Sequence, residues 1–385
     1  MKIYREFMRI PKYHNKPLQA LPYALVIIMF AFGSLAPVMA QSSRTLSYNR
    51  VNQISLPGSG GHGDWVTYDP ANGYVYLGHH GSDLIVINTA NNSIIADVDG
   101  IPRPNGIAYD SDYVYVTSAA GNFIAVVSKS DWTLANTVKT NGTTPDGIWY
   151  SSTYGRVYVA SDDANHVESY AAGLNPKLLN IYPLLPDNPK SGPDVGVLVD
   201  SKSVLYMPDD NLVLCLNLTT GQLTNQLNTN LTIGDEGATK NMIYDNLTNR
   251  LWVATTDNQT WVLDADTLKQ ITILPATAPD DQMAFDPAMR LVYTFGGTGF
   301  DVYDADSLQH VMFVDTSSPI THTGTVDTAN HEVYAYEGQA NVVGVYALTV
   351  TTPTSYSTLA VGVVIVVIVL VAVQMRRRSR LKNLS

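Results

Sequence analysis

Seven times along the chain a short alternating run places an aromatic residue directly after an aliphatic one. The runs are YVYLG from residue 74, YVYVT from 113, RVYVA from 156, VLYMP from 204, RLWVA from 250, LVYTF from 291 and EVYAY from 332. Their aromatics, Tyr76, Tyr115, Tyr158, Tyr206, Trp252, Tyr293 and Tyr334, stand 39, 43, 48, 46, 41 and 41 residues apart. Alternation at period two puts one set of side chains on each face of a strand. So short a strand is not stable alone, and a unit recurring at this spacing must bury its apolar faces against its own copies.

Each aromatic run follows another short strand that ends at a turn, as in WVTYDPANG, GIAYDSD, GIWYSSTYG, GVLVDSK, NMIYDNLTN, MAFDPAM and GTVDTANH. A third strand comes after it (LIVIN, FIAVV, TWVLD, FDVYD) and, in most units, a fourth (SIIADVD, LANTVKT, LKQITIL, LQHVMFV). Four strands, lettered A to D from the axis outwards, make one blade of a β-propeller. The seventh unit lacks its outer strand, and the run NRVNQISLP at Asn49–Pro57 has the character to supply it. The predicted fold class is therefore all-β, a seven-bladed β-propeller ectodomain closed by an N-terminal strand, plus one C-terminal transmembrane helix. Closing a ring through the chain termini removes exposed sheet edges and substitutes for disulfides. The single cysteine, Cys215 in LVLCLNL, can form no intrachain bridge.

The pattern P-x-G-I-A-Y-D, then V-Y-V-T, then I-A-V-V between Pro104 and Val127 resembles the YVTN-type β-propeller repeat, over about residues 45–350. It is strongest in blades 1 to 3 and weakest in blade 4. The resemblance implies a seven-bladed ring of the kind carried by microbial exported and surface-layer-associated proteins. It implies little about activity, since propellers host enzymes, binders and scaffolds alike.

Both ends of the chain read as membrane-directed. Residues 1–40 have a basic leader, an apolar run and the small residues Val38 and Ala40 before a cut after Ala40, as in a signal peptide. Residues 41–350 form the propeller ectodomain and 351–355 a short stalk. Tyr356–Met375 contains no charge, and its twenty residues are long enough to cross a bilayer as a helix. The RRRSRLK that follows places the tail, 376–385, in the cytoplasm. This predicts a single-pass membrane protein with its propeller extracellular. The ectodomain carries 13 Lys and Arg against 33 Asp and Glu, an excess that excludes nucleic acid as a partner. Sequons at Asn91, Asn141, Asn217, Asn230, Asn246 and Asn258 are candidates for glycosylation.

Blade connectivity puts the D–A and B–C loops on one face, the top, and the A–B and C–D loops on the bottom. The last strand before the membrane is a C strand, so the bottom is expected to face the membrane. Residues entering the A strands, His62, Asn105, Asp146, Asp194, Asn241, Asp281 and His322, are expected to ring the channel mouth as a ligand site. His62, His79, His80 and His322 in top loops would be the set for Zn or Cu. The pairs Asp162-Asp163, Asp209-Asp210 and Asp280-Asp281 would suit Ca²⁺, although Asp is also a favoured turn residue. No divalent metal is required by any motif, and DADTL and DADSL at 264 and 304 read as C–D turns.

Catalytic motifs are lacking: there is no G-x-S-x-G and no Walker loop, and GSGGHG at 58–63 joins two strands rather than opening a helix. The favoured expectation is a surface binding module for an extracellular protein or glycan. A tethered hydrolase or lyase using His62, His322 and the aspartate ring is the alternative. A structural envelope component is a third.

Overall fold

The computed structural model describes residues 44–185, 192–232 and 237–351, of which Ser47–Thr349 form one compact unit. The expected leader, the apolar span at 356–375 and the basic tail lie outside the described residues. Among the described residues no helix is long and apolar enough to cross a membrane. Cys215 is buried there in a C strand and is unpaired.

Among the described residues, twenty-eight strands form seven four-stranded sheets. In six of them the strands lie in chain order, A to D. In the seventh, Thr45–Ser55 lies beside Val342–Thr351, followed by Glu332–Glu337 and Thr323–Asp327. The closing strand expected at Asn49–Pro57 is therefore present and begins earlier. The A strands touch one another in a closed cycle, with Thr323–Asp327 of blade 7 meeting Gly63–Asp69 of blade 1. The weak repeat of blade 4 has the shortest A strand, Val197–Val199.

The aromatics that set the period lie between blades. All seven are 2% exposed or less. Tyr334 and Tyr336 pack with Val75, Leu77 and Ile54 between blades 7 and 1, and Tyr158 with Leu214 and Val195 between blades 3 and 4. Successive strand residues thus feed opposite faces of a blade, and each face meets the next blade.

Ring closure is fixed by Asn341, which sits in the left-handed region (φ 53°) at the B–C turn of blade 7. Asn tolerates that conformation better than most residues. Its backbone carbonyl accepts from Leu56 N–H at 3.1 Å, and its Nδ2 reaches the carbonyls of Leu56, Pro57 and Gly58 at 3.2–3.3 Å. With the amide nitrogen so used, its Oδ1 accepts from His79 Nε2 at 2.8 Å. His79, expected in a metal-binding loop, instead ends strand B of blade 1 and is fully buried. Burial holds its imidazole neutral, and its ring serves closure.

On the bottom face an aspartate repeatedly ends strand A and caps the turn that follows. Asp69, Asp245, Asp286 and Asp327 each accept backbone N–H bonds from residues two or three positions on. Each also takes a donor from the next blade. Lys129 reaches Asp69 at 2.7 Å, Arg290 reaches Asp245 through two nitrogens at 2.7 and 2.5 Å, and His331 reaches Asp286 at 2.6 Å. Tyr68 of blade 1 reaches Asp327 of blade 7. Burial opposes the charge on Asp245, yet the Arg290 guanidinium and Thr248 hold its carboxyl below the ordinary range.

Removing one partner of such a pair strands a buried charge. Arg290→Ala is expected to cost about 3–5 kcal/mol in urea unfolding. Arg290→Lys should recover only part of this, because an ammonium cannot reproduce the bidentate contact.

Candidate functional site

Strand register identifies the equivalent position in every blade. The last residue of strand A pairs with the first of strand B: Asp69 with Tyr74, Ser151 with Arg156, Val199 with Val204, Asp245 with Arg250, Asp286 with Leu291 and Asp327 with Glu332. In blade 2 the Tyr109–Val114 pair places Asp110 in that role. Counting five residues back from each gives Asp64, Asn105, Asp146, Asp194, Lys240, Asp281 and His322. These seven ring the mouth on the top face.

Five of the residues expected at the channel mouth occupy this register position, and in two blades another residue holds it. Blade 1 contributes Asp64 rather than His62, and blade 5 contributes Lys240 rather than Asn241. Asn241 is buried and bridges blades, donating to Val195 O at 2.6 Å and accepting from Met283 N–H at 2.8 Å. His62 stays at the mouth, with its ring centroid 5.3 Å from that of His322 and 6.4 Å from that of His80.

Local backbone geometry presents these side chains. The register shifts at Asp64, between Pro104 and Ile107, between Pro145 and Ile148, and between Thr239 and Met242. The ring residues of blades 1, 2, 3 and 5 therefore sit in β-bulges, which bend a strand and re-aim its side chains. The P-x-G motif has its reason here. A Cβ on Gly106 would stand 2.5 Å from the Asp146 carbonyl oxygen, so glycine lets neighbouring A strands approach at the mouth.

A chain of polar contacts runs most of the way round. Asn105 Nδ2 donates to Asp146 Oδ1 at 2.8 Å, and Asp146 in turn hydrogen-bonds Asp194. Lys240 Nζ lies 3.4 Å from Asp194 and 3.9 Å from Asp281, and His322 Nδ1 lies 3.1 Å from Asp281. Asp64 stands in the remaining gap. Below the ring the channel is closed. Trp65 packs both on the core between blades 1 and 2 and on that between blades 3 and 4, so its indole crosses the axis. Gln282 of blade 6 bonds Val66 of blade 1 through both ends of its amide, at 3.2 and 2.7 Å. The mouth is a blind cup with a charged rim and a floor of Trp65 and Gln282.

Four carboxyls in one cup cannot all hold charge cheaply. Burial, then the charges of Asp281 and Asp194, pushes Asp64 up to about 7, against the opposing pull of His322 and Lys240. Burial and the neighbouring aspartates also raise Asp146 well above the ordinary range, and Asp194 is raised. Burial alone would raise Asp281, but His322 and Lys240 bring it below the ordinary range. Asp194 and Asp281 keep 26% and 30% of their side-chain surface open to the water of the cup, although protein surrounds them on every side. Burial, followed by the charges of Arg103 and His62, lowers His80 to about 4, leaving it neutral.

The proposed metal sets do not assemble: among the described residues no three His, Cys, Asp or Glu side chains stand close enough to hold an ion. Asp209 and Asp210 are buried, and the Asp210 carbonyl accepts from Ala238 and Thr239 N–H at 2.8 Å. Asp280 is buried beneath the rim and accepts from Thr260 at 3.0 Å. Asp162 opens a 3-10 turn. Asp264 and Asp304 accept backbone N–H bonds in C–D turns, as read from their repeats. Of the sequon residues, Asn91, Asn141, Asn230, Asn246 and Asn258 are exposed and Asn217 is half-buried.

No known protein family and no curated protein matches the chain by sequence. Among solved structures, the Swd1 β-propeller domain of Myceliophteria thermophila is similar with a TM-score of 0.65 and 11% identity, over 79% of this chain and all of that one (100%). The hydrazine synthase of Kuenenia stuttgartiensis is similar with a TM-score of 0.61 and 15% identity, over 80% of this chain and 99% of that one. At such identities the likeness shows the fold alone.

Between the ordinary carboxyl value of 3.8 and about 7, folded Asp64 keeps a proton that the unfolded chain releases. Its contribution to stability therefore falls as pH rises through that window. Asp64→Asn should raise unfolding free energy at pH 8 by up to about 4 kcal/mol and leave it unchanged at pH 4. Urea titrations at the two pH values test this, and equal effects at both would refute it.

Proposed function

We propose that the chain is a single-pass surface protein of YVTN type, whose propeller stands outside the cell and binds an extracellular protein or glycan partner through the charged cup. The observation that carries this reading is the ring itself: seven equivalent positions, four of them on bulges, aim polar side chains over a closed floor on a rigid scaffold. Shallow, pre-formed cups with a few converging polar groups suit ligand binding. The leader before residue 41, the uncharged stretch Tyr356–Met375 and the cations after it support the anchored topology. The exposed sequons support an extracellular location.

Strand Val342–Thr351 runs towards the bottom face, which favours the cup facing outward. Antibodies raised to the B–C loops around Asn122 and Asn258 should label intact cells. Antibodies to the A–B turns around Asp112 and Asn246 should label only after the envelope is opened. Preferential labelling of the A–B turns would overturn this orientation.

A second reading, a tethered hydrolase or lyase, is favoured by one observation. Asp64 and Asp281 share the cup with their protonation pushed in opposite directions, the pattern of an acid and base pair. If the site is catalytic, Asp64→Asn and Asp281→Asn should each abolish turnover of a substrate that still binds. For a binding module, the same variants change affinity and no turnover is found with either wild type or variant.

A further inference from the structure

We propose that a second site, separate from the cup and independent of the reading given to it, lies between blades 6 and 7 and takes one neutral pyranose unit of a glycan. A cavity of about 390 Å³ opens there, lined by Arg50 and Glu337, by Ser317 and Pro319 of the D–A loop, and by Gln339 and Ala340 of the B–C loop. Its volume is within the range of small-ligand sites.

Two other blades show how the same space is closed elsewhere. In blade 3, Glu168 of strand C accepts from the N–H groups of Asn141 and Gly142 in the D–A loop, at 2.9 and 2.6 Å. In blade 6, Asp301 of strand C accepts from the N–H and the hydroxyl of Thr277, at 2.8 and 2.6 Å. Strand register puts Gly344 at that position in blade 7: it pairs with Ala335, as Glu168 pairs with Val159 and Asp301 with Thr294. The loop residues also correspond. Asn141, Thr277 and Ser317 each follow a residue whose N–H bonds a B–C turn carbonyl, that of Asn122, Asn258 or Thr298. A glycine has no carboxyl to offer, and Ser317 donates its N–H to Asp315 Oδ1 at 2.8 Å instead. The cavity therefore stands where blades 3 and 6 tie loop to strand.

A charged pair is built into it from two strands. A Cβ on Gly344 would collide with Glu337 Oε1, so the glycine lets the carboxyl at the end of strand B cross strand C towards Arg50 of strand D. Glu337 is 2% exposed, accepts from the Tyr346 hydroxyl at 2.8 Å and pairs with one Arg50 nitrogen at 3.1 Å. Burial raises its carboxyl above the ordinary range, against the opposing pull of Tyr346 and Arg50, so a further donor would stabilise its charge. Arg50 is one-third exposed and has more N–H donors than the one given to Glu337. An anion entering here would meet Glu337 and Asp315, and a cation would meet Arg50. A sugar hydroxyl both donates and accepts, so two adjacent hydroxyls can serve carboxylate and guanidinium together. Pro319 and Ala340 give apolar surface to the C–H face of the ring, and the exposed Ser317 and Gln339 add polar groups at the rim.

The test is titration calorimetry on the full chain in a detergent without a sugar headgroup. The methyl glycosides of mannose, glucose and galactose are the probes, and sulfate and putrescine the comparisons. At least one glycoside should bind with one-to-one stoichiometry. Glu337→Gln should weaken that binding by about tenfold or more, through loss of hydrogen bonding to a charged group. Ala340→Trp, which fills the cavity from its exposed rim and leaves Arg50 and Glu337 unchanged, provides an independent variant with the same expected loss should Glu337→Gln fail to fold. Ala120→Trp, exposed in the B–C loop of blade 2, and Asp64→Asn in the cup should each change binding by less than about twofold.

The proposal is overturned if no glycoside binds at tens of millimolar, or if only sulfate or only putrescine binds. It is equally overturned if Ala340→Trp binds as wild type does, or if Ala120→Trp weakens binding as much as Ala340→Trp. If Asp64→Asn abolishes glycoside binding and Ala340→Trp does not, the sugar belongs to the cup and the site between blades 6 and 7 falls.

Discussion

The ring depends on a buried carboxylate at the foot of strand A. It does two things at once: its oxygens cap the A–B turn of its own blade and accept a cation or hydroxyl from the next. Asp69 with Lys129, Asp245 with Arg290, Asp286 with His331 and Asp327 with Tyr68 repeat this arrangement with four different donors. Apolar packing between blades is strong but non-directional, and it would tolerate sliding. A charged hydrogen bond fixed at both ends does not. It therefore sets how these four blades sit against their neighbours.

The same residue type behaves oppositely at the two ends of strand A. At the foot, each aspartate has a dedicated donor, and burial is outweighed by pairing. At the head, Lys240 and His322 serve Asp194 and Asp281, and burial, followed by the charges of neighbouring aspartates, favours the protonated form of Asp64, Asp146 and Asp194. Identical side chains thus build the scaffold where they are matched and line the channel mouth where they are not. Position along a strand, rather than residue identity, separates the two.

Much of this was legible in the sequence. The spacing of Tyr76 through Tyr334 fixed seven blades because those aromatics fill the gaps between them, and the closing strand followed from the missing outer strand of blade 7. The rim was harder to read. Bulges insert residues at the head of strand A, so looking for polar residues near its start selected His62 and Asn241. Counting back from the foot of strand A, marked by the Y-D at Asp69 and Asp245, leads to Asp64 and Lys240. The floor was not legible at all, since Trp65 and Gln282 meet distant blades only once the ring has closed. His79 was misplaced for a related reason: its partner Asn341 lies at the other end of the chain.

The closure clasp also determines how the molecule bears load. The final strand, Val342–Thr351, is flanked on one side by Glu332–Glu337 and on the other by Thr45–Ser55. A pull on the chain beyond Thr351 is directed along that strand and is opposed by two ladders at once, in shear. Rupture would require many hydrogen bonds to yield together instead of opening one by one like a zip. The N-terminal strand is thus a mechanical brace as well as a lid on a sheet edge.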